Sequence, residues 1–407
     1  MQRIALSWLV YRLTGSPILL GITGFSSQFP TFMFAPFAGV IADQLNRHRI
    51  MIVTQILAMI QALILAFLVL TNTVTVPHII ILSIVLAAIN GFDIPARQSF
   101  VIDMVVNKDD LGNAIALNSA MFNSARLIGP SIAGVLIAVV GEGMCFLING
   151  ISYITVIIAL LAMKIQPRQK PIIRKRVFNE LKHGLVYAAK TEKIRSILLL
   201  LALVSLVGMP YAILMPIFAR DVLQGGPSTL GFLVGAAGVG ALIGAVLFAS
   251  RKKAEGLEKA IPLATIVFGS GLIVFSYSRI LWLSMVFMII TGFGMMIQMV
   301  SCNTLLQTIV EDDKRGRVMS FYAMSFMGMA PIGSLLGGWA AKMIGAPTTL
   351  LFGGIICIIG ALLFIYKLGL SKPIIYSTGN VLRIRNLKNK TGPQTMIENA
   401  ENQSRKI

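Results

Sequence analysis

Residues 39–49 read Gly39-Val40-Ile41-Ala42-Asp43-Gln44-Leu45-Asn46-Arg47-His48-Arg49. An apolar run that begins near residue 17 ends here in an acid, a short polar turn and a basic cluster, and a second apolar run starts at residue 50. Gly39 lets a neighbouring helix approach closely. Asp43 closes the helix at a membrane surface, where it can pair with a cation or face a helix N-terminus. Asn46 is expected to supply the left-handed conformation of a tight turn. Read only as a helix–turn–helix, the stretch still marks a cytoplasmic side through Arg47 and Arg49.

Working outward, crossing a hydrocarbon core of about 30 Å takes about 20 apolar residues. Runs of that kind fall at 17–41, 50–70, 77–103, 112–139, 143–163, 196–219, 228–250, 260–278, 280–303, 318–341 and 347–368. A fragment at 2–13 is apolar but covers only about 18 Å as a helix. Of the 407 residues, 56% are hydrophobic and 13% charged, against about 25% charged in soluble domains, so the bilayer is the solvent for most of the chain. The net charge of +19 does not point to nucleic acid. The bases sit in short loops between apolar runs, with no basic stripe carrying interleaved aromatics, and anionic lipid headgroups account for them better. Cys145, Cys302 and Cys357 stand singly, and His48, His78 and His183 are far apart, which supports neither a disulfide framework nor a metal site.

The run 164–195 alone holds ten Lys and Arg, whereas the opposite loops offer Arg12, Arg220, Arg279 and Lys342. That asymmetry places loops 42–49, 164–195 and 251–259 and the tail in the cytoplasm of a cell-membrane protein. It also divides the chain into a transmembrane half at 1–163, a basic linker at 164–195 with an interfacial helix over 177–187, a second half at 196–370 and a cytoplasmic tail at 371–407. The halves echo each other. Asn90-Gly91-Phe92 and Thr291-Gly292-Phe293 lie 201 residues apart, as do Pro130 and Pro331. An offset of six spans gives a parallel repeat and twelve spans in all. The 2–13 fragment is then expected to be the stump of the first helix, with the native start some 20–30 residues upstream.

Asp93 and Arg97 stand at i,i+4 with the acid first, the favourable order for a helical ion pair that lowers the cost of charge at membrane depth; a surface turn capped by Asp93 is the alternative. Asn118, Phe122 and Arg126 form an i, i+4, i+8 stripe expected to face the bundle interior, since Arg126 at mid-span requires a cavity or a carboxylate partner. Gly129, Pro130 and Gly134 then provide a small-residue face for close packing. Gln28, Asn149 and Gln298 are as suited to gluing helices as to touching a substrate. No GxxxxGK[ST] or HExxH pattern occurs, which argues against an ATP-driven pump and against an enzyme, so no catalytic residue is assigned.

Segments Leu6–Ser16, Gly39–Arg49, Asp93–Gln98, Arg126–Gly134 and Arg315–Ser320 resemble the branch of the major facilitators that holds the enterobactin exporter, the transmembrane secretion effectors. The resemblance runs from residue 1 to about residue 370. Gln44, Asn46 and His48 depart from the signature loop, where basic, Gly and basic residues are usual. The resemblance implies an all-α, monomeric twelve-helix carrier of two six-helix halves that exports a small organic compound, such as a siderophore, a macrolide or another drug-like molecule. Alternating access, drive from the proton gradient and no cofactor come with it. Gly39, Asp43, Arg47 and Arg49 would form the cytoplasmic gate, with Asp43 pairing to Arg97 or Arg47. Residues 126–134 would be the antiporter motif. An uptake carrier and a transport-dead sensor on the same scaffold stay open.

Overall fold

The computed structural model describes residues 1–34, 38, 46–104, 110–163, 187–250 and 256–368, some of them, including Phe122 and Arg126, by backbone alone. Gly39, Asp43, the linker at 164–186 (which holds most of the expected interfacial helix) and the tail lie outside the described residues. Met1–Leu368 forms one compact unit. Its helices are α1 (Gln2–Thr14), α2 (Pro17–Ser26), α3 (Arg47–Leu70), α4 (Val76–Met104), α5 (Leu111–Ala162), α6 (Glu192–Val222), α7 (Pro227–Ala249), α8 (Leu257–Tyr277), α9 (Leu281–Ile309), α10 (Lys314–Ile344) and α11 (Ala346–Lys367). Among the described residues there is no strand, and nine helices are long and apolar enough to cross a membrane.

Local signals set the turns. Gly15 adopts a left-handed φ of 59° and ends α1, Ser16 accepts from the Leu19 N–H, and Pro17 opens α2. This is the stop, cap and start order that orphan helix-end groups demand. Gly141, at φ 81° and ψ 170°, breaks α5 into arms at 111–140 and 142–162. A methyl at Gly143 would meet Leu70, one at Gly150 would meet Leu63, and His48 Nε2 lies 2.6 Å from the Leu160 carbonyl. The second arm therefore runs back down α3, and the runs at 112–139 and 143–163 are two spans joined by one residue. The turns at Gly15 and Gly141 define one face of the bundle, and Asn46 and Leu160 define the other.

Inside, polar groups are tied across helices because the hydrocarbon core offers no water. Gln2 donates to Gln61 (2.8 Å), Gln61 to the Leu82 carbonyl (3.2 Å) and Asn149 to Gln2 (2.9 Å). Each such bond contributes about 0.6 kcal/mol in a membrane protein, and together they fix the rotation of α1, which is inserted in the bundle with Ala5, Leu9 and Val10 fully buried. Outward-facing Phe67, Val139, Leu161 and Leu363 are more than 60% exposed, an apolar surface suited to lipid and not to water. In α6 and α10 wide π turns at Val204–Gly208 and Met324–Gly328 face each other, and Ser205 Oγ donates to the Phe326 carbonyl at 2.6 Å.

Candidate functional site

A cavity of about 620 Å³ lies within the bundle, walled by α1, α2 and the first arm of α5 on one side and by α6, α7, α9 and α10 on the other. Its volume is that of a site for a drug-sized molecule. One wall is polar: Arg3 and Ser7 from α1, and Thr23, Ser27 and Gln28 from α2 and its continuation. Ser7, Thr23 and Ser27 donate to the carbonyls of Ile4, Leu19 and Gly24, at 3.0, 2.7 and 3.1 Å, and Gln28 Nε2 donates to Gly24 at 3.1 Å. These groups are satisfied without a ligand, and each hydroxyl can rotate to meet one. The facing wall is soft and apolar, with Met209, Met215, Met295, Met296 and Met299 around Tyr211, whose hydroxyl lies 3.9 Å from Met295 Sδ. Unbranched thioethers adapt to varied shapes.

On the Gly15 face the two sides close on each other. A methyl at Gly21 would sit 3.1 Å from Gly338 Cα, and one at Gly134 would sit 2.6 Å from Gly231 Cα and 2.7 Å from the Pro227 carbonyl oxygen. Helices α2 and α10, and α5 and α7, thus cross backbone on backbone, as only residues lacking Cβ allow. In α5, α7 and α10 the crossing glycine lies nearer the Gly15 face than the cavity residues Pro130, Val234 and Ser334. From Val234 to Ala245 the cavity extends about 16 Å away from that seal. Polar contacts reinforce it. Tyr11 donates to the Asp221 carboxylate and Arg220 donates to the Tyr11 carbonyl (3.3 Å) with its guanidinium 5.8 Å from the Tyr11 ring centre, both across the two sides, whereas Arg12 pairs with Glu142 at 2.7 Å within one side, α1 to α5.

Toward the opposite face, Asp93 is buried inside α4. Its Oδ2 meets Arg97 Nη2 at 2.5 Å, and its Oδ1 accepts from Thr54 Oγ1 (3.0 Å) and Gln55 Nε2 (2.8 Å) of α3. The helix runs through Pro95, so Asp93 sits within it and does not cap a surface turn. Arg47 is buried and donates to the Ser99 carbonyl at 3.4 Å, while Arg49 is exposed. The sequence expectation for Asn46 needs correction: its φ of −68° and ψ of 109° are extended, and its side chain accepts from the N–H groups of His48 and Arg49. Asn serves here as an N-cap, a role glycine fills without a side-chain acceptor.

In the first arm of α5, Ala125, Gly129 and Pro130 line the cavity, and a methyl at Gly129 would meet nothing within 4 Å. Gly134 makes the crossing, assisted by Ser131, which lies against Gly235. At about 100° per residue, Asn118 and Phe122 share the face of Ala125 and Gly129; Asn118 is exposed beyond the cavity, and the side chains of Phe122 and Arg126 lie outside the described residues. Sequence reasoning missed the partners of the crossings, Gly21, Gly231 and Gly338, and the Tyr11–Asp221 contact. Gly231 and Gly235, four apart, were a legible small-residue signal; Asp221 was not. Among the described residues no three His, Cys, Asp or Glu side chains come together as a metal site would need.

Two helical sides around a central cavity, crossed by glycines at one face, define a membrane carrier of the major facilitator fold. The fold is shared with a bacterial homologue of the human lysosomal transporter Spinster, solved in an inward-facing and unoccupied conformation (TM-score 0.69, 15% identity, 90% of this chain and 93% of that one), and with the nucleoside transporter NupG (TM-score 0.67, 13% identity, 90% and 98%). The chain belongs to the transmembrane secretion effector family, whose pattern matches residues 1–373. Its relatives include the staphyloferrin A transporter of Staphylococcus aureus, 27% identical over 90% of this chain and 92% of that protein. The multidrug efflux pump Tap of Mycolicibacterium fortuitum is 25% identical over 86% and 87%.

Proposed function

We propose that this chain is a proton-driven exporter that moves a small organic molecule, of siderophore or drug type, from cytoplasm to exterior by alternating access. The observation that carries the reading is the 620 Å³ cavity shared by both sides of the bundle and sealed at the Gly15 face. With the Arg- and Lys-rich loops inside, the seal is external and the cavity loads from the cytoplasm. The relative that is a multidrug efflux pump supports the direction, and it and the staphyloferrin A transporter support the kind of cargo. In this reading Asp43, with Arg47 or Arg97, holds the cytoplasmic gate in the alternate state. Arg126 is assigned to lining the central cavity and contacting anionic or polar substrate groups, and the Asp93–Arg97 pair is a candidate for coupling. The protein works as a monomer without a cofactor. The test is accumulation of siderophores and drugs in cells with and without the protein. Export lowers accumulation, and a protonophore abolishes the difference. Raised accumulation identifies an uptake carrier, and no change for any compound identifies a scaffold without transport.

A further inference from the structure

We infer that Gln298 of α9 binds the cargo, donating through its side-chain amide to a carbonyl oxygen of the molecule carried; this rests on the exporter reading and adds a contact that selects among cargoes. The sequence leaves Gln298 suited either to gluing helices or to touching a substrate, and its hydrogen bonding separates the two. Gln2, Gln55 and Gln61, buried in their own spans, each donate through Nε2 to a partner on another helix: Gln61, Asp93 and the Leu82 carbonyl in turn, at 2.8, 2.8 and 3.2 Å. Gln298 is 1% exposed, and its Nε2 has no hydrogen-bond partner among the described residues. A donor buried without a partner costs stability, so this amide does not glue helices and calls for another role.

Its place on α9 points to the cavity. The wall residues Gly292, Met295, Met296 and Met299 form one face of the helix, and at about 100° per residue Gln298 lies about 60° round from Met295. Helical side chains lean toward the N-terminus, which sets the amide over the turn of Gly294 and Met295. On the far side α8 is closed: a methyl at Gly294 would sit 2.6 Å from the Phe268 backbone nitrogen and 2.8 Å from the Ala264 carbonyl oxygen. On the near side stands Met295, an unbranched thioether that changes rotamer readily. Swung aside, it opens the Gln298 amide to the cavity. The N–H then needs an acceptor, and the surrounding methionines suit an apolar body. A ketone, ester or amide carbonyl on an aromatic or aliphatic frame meets both, whereas the same frame without oxygen leaves the donor unmet.

The test uses the full chain in nanodiscs and two probes of matched size, benzophenone with a carbonyl and diphenylmethane without one, with binding read by equilibrium dialysis against empty nanodiscs. The parent is expected to bind benzophenone about three- to tenfold more tightly, the range of one neutral hydrogen bond. Gln298→Met, a side chain of similar length, is expected to remove that preference and to melt about 2 °C higher without ligand. Irradiated benzophenone, whose carbonyl carbon bonds to a nearby C–H, is expected to label Met295, Gln298 or Met299 of the parent, mapped by mass spectrometry. Equal binding of the two probes by the parent, binding of neither, an unchanged preference or a lower melting temperature in Gln298→Met, or labels confined to other helices overturns the inference. Accumulation in cells separates it from the exporter reading. A chain that lowers accumulation of siderophores or drugs, with the probe preference unchanged in Gln298→Met, keeps the exporter and defeats the contact. A chain that shows the Gln298-dependent preference but changes the accumulation of no compound does the reverse.

Discussion

Replacing Gly134 by Ala adds one methyl where no side chain can give way. The new carbon would lie 2.6 Å from Gly231 Cα and 2.7 Å from the Pro227 carbonyl oxygen, about 1 Å inside the ordinary carbon–carbon contact of roughly 3.6 Å. Both obstacles are backbone, so α5 and α7 must move apart by about that distance. Overpacking of this kind costs about 1–3 kcal/mol, and it falls only on the state in which the Gly15 face is sealed. The open-to-closed ratio at that face should rise by roughly 5- to 150-fold. The readout is a cysteine placed at the cavity residue Ala212, labelled by an impermeant maleimide added from the Gly15 face; the native cysteines, Cys145, Cys302 and Cys357, are buried. Faster labelling in the Gly134→Ala protein, with its melting temperature kept within a few degrees, is the expected result. An unchanged rate in a folded protein would mean that the α5–α7 crossing is not a gate, and the argument from glycine geometry fails.

Further outcomes follow from the same contacts. Tyr11→Phe removes the hydroxyl bonded to Asp221; at this partly exposed site the loss is about 1 kcal/mol, so labelling at position 212 should quicken roughly fivefold and the effect should add to that of Gly134→Ala. Asp93→Ala strands Gln55 and Arg97, while the Thr54 hydroxyl keeps the Met51 carbonyl as an acceptor at 2.9 Å. With Arg97 half-exposed, about 2 kcal/mol of stability should be lost, seen as a lower melting temperature in detergent, while Arg97→Gln should lower it less; equal melting of Asp93→Ala and the parent would remove the cluster from the account. Asn46→Ser should preserve stability and Asn46→Ala should lose about 1 kcal/mol, as expected of an N-cap; a loss in both would favour a left-handed requirement instead.

The spans were legible because the bilayer imposes length and apolarity on every crossing segment, and the break at Gly141 was legible because apolar runs longer than a membrane must turn. The i,i+4 spacing of Asp93 and Arg97 is local, so sequence alone brings them together. Their other contacts are not local: Thr54 and Gln55 come from a different helix, and Tyr11 meets Asp221 across 210 residues. Nothing in periodicity links positions so far apart, and the pairing of Gly21 with Gly338 is hidden for the same reason. Asn46 was misread because Asn serves both left-handed turns and N-caps, and only backbone angles separate the two. Gln2, in a fragment read as apolar, proved to be a rotation anchor because its partners, Gln61 and Asn149, lie on other helices.

The central claim is proton-driven movement from the Asn46 face to the Gly15 face. Its most direct test is flux of a bound substrate in proteoliposomes of known protein orientation, under an imposed pH gradient acidic at the Gly15 face. The account predicts accumulation of substrate on the Gly15 side, matched by proton movement the other way and reduced to equilibration when the gradient is collapsed. Accumulation that ignores the gradient, or that runs toward the Asn46 face, would contradict it.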